Sequence, residues 1–135
     1  MAVDDVSAKD ALPTGCRFHC YEFLAVLGSG SFGITYLAKD ESLNKPVAIK
    51  EYFPTDYAIR DEGSTGVSPK NSQSTEIFEW GLKRFRDEAK TLANFSHPNI
   101  VKALTVFDSN NTVYLAMEYE AGKGLDELLR AGEAF

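Results

Sequence analysis

Apolar and polar residues fall into short blocks along this chain, and the period of the pattern changes once. Tyr21 to Leu27 (YEFLAVL) and Ile34 to Ala38 (ITYLA) are aromatic and β-branched runs bounded by turn residues, the signature of strands. Gly28 to Gly33 (GSGSFG) between them predicts a glycine-rich turn. Asp40 to Pro46 (DESLNKP) reads as another turn, and Val47 to Phe53 as a third strand that Pro54 ends. Residues 54–76, rich in Gly, Ser, Thr, Asp and Asn, read as a long solvated loop. The period then lengthens. Phe78, Leu82, Phe85, Ala89 and Leu92 recur at steps of four and three, which predicts a helix over about 76–95 with one apolar stripe. Val101 to Phe107 and Thr112 to Tyr119 read as two more strands around an Asp-Ser-Asn-Asn turn at 108–111, and Leu125 to Arg130 as the start of a further helix. Residues 1–17 are small and polar and read as a flexible tail.

Short turns between successive strands favour antiparallel pairing. The expected fold class is therefore α+β: a five-stranded antiparallel sheet with one main helix packed on it, over residues 18–135. The 135 residues are 44% hydrophobic and 25% charged, the balance of one globular domain. A net charge of −6 argues against a general nucleic-acid binder, which carries a basic excess. No apolar run is long enough for a membrane span, and the start, with Asp4, Asp5 and Asp10, is unlike an export signal; the expected location is cytoplasmic. Cys16 and Cys20 flank His19, but a metal site needs further ligands and His97 is the one other histidine, so they read as free thiols and no metal site is expected.

The chemistry starts at the glycines. Gly28-Ser29-Gly30-Ser31-Phe32-Gly33 fits G-x-G-x-x-G, a pattern that two folds use. In a dinucleotide-binding fold it opens a helix; here the strand-like Ile34-Thr35-Tyr36-Leu37 follows. The remaining reading is a hairpin flap whose backbone amides approach phosphate oxygens with no Cβ in the way. Side chains alternate along Val47-Ala48-Ile49-Lys50, so a small residue and a cation share one face, suiting a flat ring with an anion beyond it. On the helix, Glu88 borders the apolar stripe between Phe85 and Leu92 and is the acid best placed to turn inward and pair with Lys50.

Together with His97-Pro98-Asn99-Ile100-Val101 and Met117-Glu118-Tyr119, in this order and spacing, these residues resemble the N-terminal lobe of a eukaryotic-like serine/threonine protein kinase, bacterial members above all. The resemblance implies ATP as ligand, with magnesium. It implies that Leu27, Thr35 and Ala48 line the adenine pocket and that Met117 closes its rear. Gly28 to Gly33 would cover the phosphates, Lys50 would contact the α- and β-phosphates, and Glu88 would hold Lys50. Backbone groups of Glu118, Tyr119 and Glu120, in a hinge over 117–121, would meet the adenine edge, and His97 would be structural.

The H-R-D and D-F-G segments that supply the family's base and magnesium ligands do not occur; Arg60-Asp61 and Arg86-Asp87 follow Ile59 and Phe85 instead of histidine. The chain is therefore expected to be the N-lobe of a longer kinase, inactive by itself and acting on a protein substrate when joined to a C-lobe. The alternative is a non-catalytic interaction module. The resemblance also implies that the hinge side packs on the C-lobe, so without it Met117, Tyr119, Leu125 and Leu128 would be partly uncovered, a patch suited to self-association.

Overall fold

The computed structural model describes residues 10–94 and 102–119. Along the chain these form strands β1 (Arg17–Phe18), β2 (Tyr21–Ser29), β3 (Gly33–Asp40), β4 (Lys45–Tyr52), β5 (Ala58–Arg60) and β6 (Val67–Pro69), helix α1 (Thr75–Ala93), then β7 (Ala103–Ser109) and β8 (Thr112–Glu118). Six strands make one antiparallel sheet in the order β1-β2-β3-β4-β8-β7, and β5 pairs with β6 in a separate hairpin. The α+β class holds, with a larger sheet than the five strands expected. No helix among the described residues is long and apolar enough to cross a membrane.

Turn chemistry sets the register. Between β3 and β4, Asp40 Oδ1 accepts from the Ser42 amide (2.9 Å), the Ser42 hydroxyl (2.7 Å) and the Leu43 amide (3.1 Å), while Asn44 takes a left-handed φ of 56°. These bonds, the Ser42 hydroxyl first, hold the Asp40 carboxyl below its ordinary pKa. Asn110 and Asn111 form the two-residue turn from β7 to β8 with φ of 53° and 62°, the conformation that matches strand twist and that asparagine tolerates.

Residues opposite each other in an antiparallel sheet share a face. Glu51 on β4 lies opposite Ile34 on β3 and Tyr114 on β8, and Lys50 lies opposite Thr35 and Leu115. Lys50 and Glu51 therefore project to opposite faces of a central strand. Helix α1 packs through Phe78, Phe85 and Ala89, which are buried, and the Tyr52 ring lies 5.5 Å from Phe78 and 5.7 Å from Phe85.

The Glu51 face is covered by two segments that were expected to be loose. Within the 1–17 tail, Leu12 is buried and its amide donates to the Tyr36 hydroxyl (3.1 Å). Within the 54–76 loop, β5, β6 and a 3-10 turn at Ser72–Ser74 are ordered, and Ala58 and Val67 join the core. The hairpin docks on the β7–β8 turn: the Val67 amide donates to the Asn110 carbonyl (2.9 Å), and Asn111 Nδ2 donates to the Val67 carbonyl (2.8 Å). Polar composition concealed this because so few apolar residues, Leu12, Ala58 and Val67, do the burying.

Candidate functional site

One sheet face gathers most of the residues singled out above. Gly28 pairs with Thr35, Thr35 with Lys50, and Ala48 with Met117, which places a glycine, a small residue, a β-branched residue and a cation side by side. Ala48 and Met117 are fully buried, Thr35 nearly so, and Lys50 is 8% exposed. Met117 was expected to be partly uncovered; its 0% exposure corrects that, because it sits inside the sheet between Ala48 and Ala103. Leu27 is half-buried, at the irregularity between Val26 and Gly28. Gly33 has no room for a side chain: an added Cβ would lie 2.5 Å from the Glu51 carbonyl oxygen and 3.1 Å from Lys50 Cε. A glycine is what lets the lysine stem run beneath the flap.

The flap itself turns through Gly30, whose amide donates to the Gly33 carbonyl (2.9 Å) and whose surroundings are open. Ser29, Ser31 and Phe32 are exposed, Phe32 by 62%. Its tip is tied to the chain that leaves β4. The Phe53 amide donates to the Phe32 carbonyl (3.0 Å) and the Thr55 amide to the Ser31 carbonyl (3.0 Å).

Glu88 is partly exposed, and its Oε2 accepts from Arg84 Nε at 3.2 Å, one helical turn away. The Arg84 guanidinium also lies 5.4 Å from the centre of the Trp80 ring. Both polar residues rim a hollow of about 390 Å³ between the flap tip and α1, whose other walls include Phe32, Tyr52 and Trp80. Gly81 permits the close approach of α1 to β4, since a Cβ there would collide with the Tyr52 hydroxyl, which donates to the Phe78 carbonyl at 3.0 Å. At the other end of the face, the Glu118 amide donates to the Lys102 carbonyl (2.9 Å) and Tyr119 is half-buried against the core. Glu120, His97, Leu125 and Leu128 lie outside the described residues.

Sequence reasoning missed Glu51. It is fully buried, and each of its oxygens accepts one tyrosine hydroxyl and one Arg60 N–H. Tyr36 donates to Oε1 (2.8 Å) and Tyr114 to Oε2 (2.6 Å), while Arg60 Nη2 and Nη1 donate to Oε1 (2.7 Å) and Oε2 (2.8 Å). Arg60 also donates from Nε and Nη2 to the Asp10 carbonyl (3.0 and 2.6 Å) and lies 4.9 Å from the Phe53 ring centre. Burial first, and then the charge of Glu51, push the Tyr36 and Tyr114 hydroxyls well above the ordinary tyrosine pKa, so both remain donors. The available signal was an acid that alternates with Val47 and Ile49 on one strand face, which, if buried, requires a partner.

A curled antiparallel sheet with a glycine hairpin joining two of its strands, a lysine on the central strand and one helix against the same face is the architecture of a protein-kinase N-terminal lobe. The comparison with known proteins agrees: the protein kinase domain model matches residues 21–135, and the chain belongs to that family. It is 34% identical over 110 residues to the probable serine/threonine-protein kinase CPE1738 of Clostridium perfringens, covering 82% of this chain and 13% of that protein. It is 32% identical over 111 residues to the serine/threonine-protein kinase PrkC of Bacillus subtilis, covering 82% of this chain and 14% of the relative. Among solved structures, the apo form of PpkA-294 superposes with a TM-score of 0.80 at 36% identity, over 90% of this chain and 43% of that one. The Mycobacterium tuberculosis PknI kinase domain (C20A mutant) shares the fold with a TM-score of 0.57 at 23% identity, over 83% of this chain and 38% of that one. The chain thus spans less than half of these kinase structures and a small part of the curated relatives.

Proposed function

We propose that this chain is the ATP-binding half of a serine/threonine protein kinase. The observation that carries the reading is the register that sets Gly28, Thr35, Ala48, Lys50 and Met117 on one face beneath the glycine flap. Ala48 and Thr35 leave a shallow floor for a flat base between Leu27 and Met117. Lys50 supplies the cation for the α- and β-phosphates, and the open backbone around Gly30 gives amides that oxygen atoms can approach. Since the Glu118 amide is engaged by Lys102, the adenine edge meets the Glu118 carbonyl and the backbone of Tyr119 and Glu120. Glu88 is the counter-ion for Lys50 in this reading and exchanges Arg84 for it. An exposed pair one helical turn apart is worth only about 0.3–0.5 kcal/mol, so Arg84 opposes that exchange weakly.

The complete enzyme transfers the γ-phosphoryl group of ATP to a serine or threonine hydroxyl of a protein. An O–P bond to the hydroxyl forms, the bond to ADP breaks, and the hydroxyl proton passes to a base. That base and the Mg²⁺ ligands belong to a C-lobe, so the chain by itself binds nucleotide and does not turn it over. The test is calorimetric titration with ATP, with and without Mg²⁺, beside Lys50→Ala. A charge-assisted hydrogen bond is worth about 1.5–3 kcal/mol, so the variant is expected to bind at least about tenfold more weakly. Equal binding by both proteins, or none by the parent, overturns the reading and favours an interaction module.

A further inference from the structure

We propose that Glu51 is a positioning residue for Lys50, and that the cover made by residues 10–16 and the β5–β6 hairpin is the brace through which it acts. The proposal rests on the nucleotide-site reading above. Lys50 and Glu51 are consecutive on β4 and point to opposite faces, joined by a planar peptide. The ladders to β3 and β8 hold β4 sideways. The β3–β4 turn and the two ladders set the register of β4, and a one-residue slip would exchange its two faces. Glu51 adds to that constraint, because a slip would drive its carboxylate into the Lys50 face and leave Arg60, Tyr36 and Tyr114 without their shared acceptor.

The far end of the network is anchored independently of β4. Arg60 belongs to β5, and it bonds the Thr65 carbonyl (3.1 Å) within its own hairpin and the Asp10 carbonyl in the N-terminal segment. Thr65 in turn donates to Asn110 Oδ1 (2.6 Å), and Asn110 Nδ2 donates to the Tyr114 hydroxyl (2.8 Å), closing a ring of contacts back to Glu51. The hairpin's root also holds the flap, through the bonds from Phe53 and Thr55 to Phe32 and Ser31. One structure on the outer face therefore sets the lysine and the glycine flap on the inner face. Buried ion pairs add little net stability against an apolar substitute; their best-attested use is to specify register, which is the role assigned to Glu51 here.

The experiment measures acylation of Lys50 by a water-soluble amine-reactive ester, read by peptide mass spectrometry on the full chain. Lys83, 78% exposed on α1, is the internal standard. All proteins are labelled well below their unfolding midpoints. Glu51→Gln keeps the shape and removes the charge. It is expected to raise Lys50 labelling at least fivefold relative to Lys83, whereas Arg60→Lys, which keeps a cationic donor, stays nearer the parent. If Glu51→Gln does not fold, Glu51→Leu combined with Arg60→Met removes both charges and faces the same criterion. Labelling within twofold of the parent in a folded variant overturns the proposal, as does failure of both variants to fold, which would make the network a requirement of folding alone. ATP titration of the same variants separates the two readings. A parent that binds no ATP defeats the nucleotide site and leaves the labelling result standing; a parent that binds while Glu51→Gln binds equally well defeats the positioning role.

Discussion

At the scale of single residues, Gly33 carries a constraint imposed by backbone. The two atoms that an added Cβ would meet are the Glu51 carbonyl oxygen, which is backbone in a central strand, and Cε of Lys50. The first cannot yield without bending β4, so the second is displaced as well. Gly33→Ala is expected to cost about 1–3 kcal/mol, the range for overpacking, and to weaken ATP binding more than an equally destabilising change on the outer face. Urea midpoints together with titration calorimetry check it; unchanged ATP affinity in a folded variant would show that the lysine stem has slack. The charge network belongs to this scale too. Lys50 was legible in the sequence because small and cationic residues alternate on a strand after a glycine hairpin. Glu51 was not, since an acid beside a lysine reads equally well as a solvated pair until Arg60, Tyr36 and Tyr114 are seen to enclose it.

Helix α1 shows how elements are brought together. Its stripe, Phe78, Leu82, Phe85, Ala89 and Leu92, was plain from the 3.6-residue period, and the core takes these residues in whole or in part. Its closeness to β4 was not plain, because it depends on Gly81 facing Tyr52. Replacing a glycine in a helix interior by alanine ordinarily stabilises by about 1 kcal/mol. Here the methyl group would strike the Tyr52 hydroxyl, whose bond to the Phe78 carbonyl would break as it moved. Overpacking of about 1–3 kcal/mol should outweigh the gain. Gly81→Ala is therefore expected to destabilise, and the added change Tyr52→Phe to recover part of the loss; thermal unfolding of both variants decides. A more stable Gly81→Ala would mean that α1 moves freely on the sheet.

At the scale of the molecule, the tyrosines connect the core to alkaline pH. Burial raises the hydroxyls of Tyr21, Tyr36, Tyr52 and Tyr114 above their ordinary pKa, Tyr52 to about 12. The unfolded chain releases these protons from about pH 10 upward, while the native state still holds them. Below that pH both states hold these protons, so the four groups add no pH dependence to stability. Above it the native state binds more protons than the unfolded one, so stability falls as pH rises through the folded pKa values. The urea midpoint should be level from pH 8 to 9.5 with respect to these groups and lower at pH 11. A midpoint unchanged at pH 11 would mean that the hydroxyls ionise without unfolding and that the core is open to water.

By itself, the sequence determined the period of the main strands and of helix α1, the α+β class, the glycine flap, the position of Lys50 on its strand and the resemblance to a kinase N-lobe. These depend on local alternation and on motifs only a few residues long. The tertiary structure alone decided what covers the outer face and what Glu88 touches. Leu12, Arg60 and Asn110 are far apart in the chain and unremarkable where they stand. They meet because the sheet brings Tyr36 and Tyr114 to either side of Glu51, and a buried charge must be answered wherever the fold delivers a partner. Helical spacing gives the direction of the Glu88 side chain and not its contacts, and the bond to Arg84, one turn away on the same surface, is visible only in the structure.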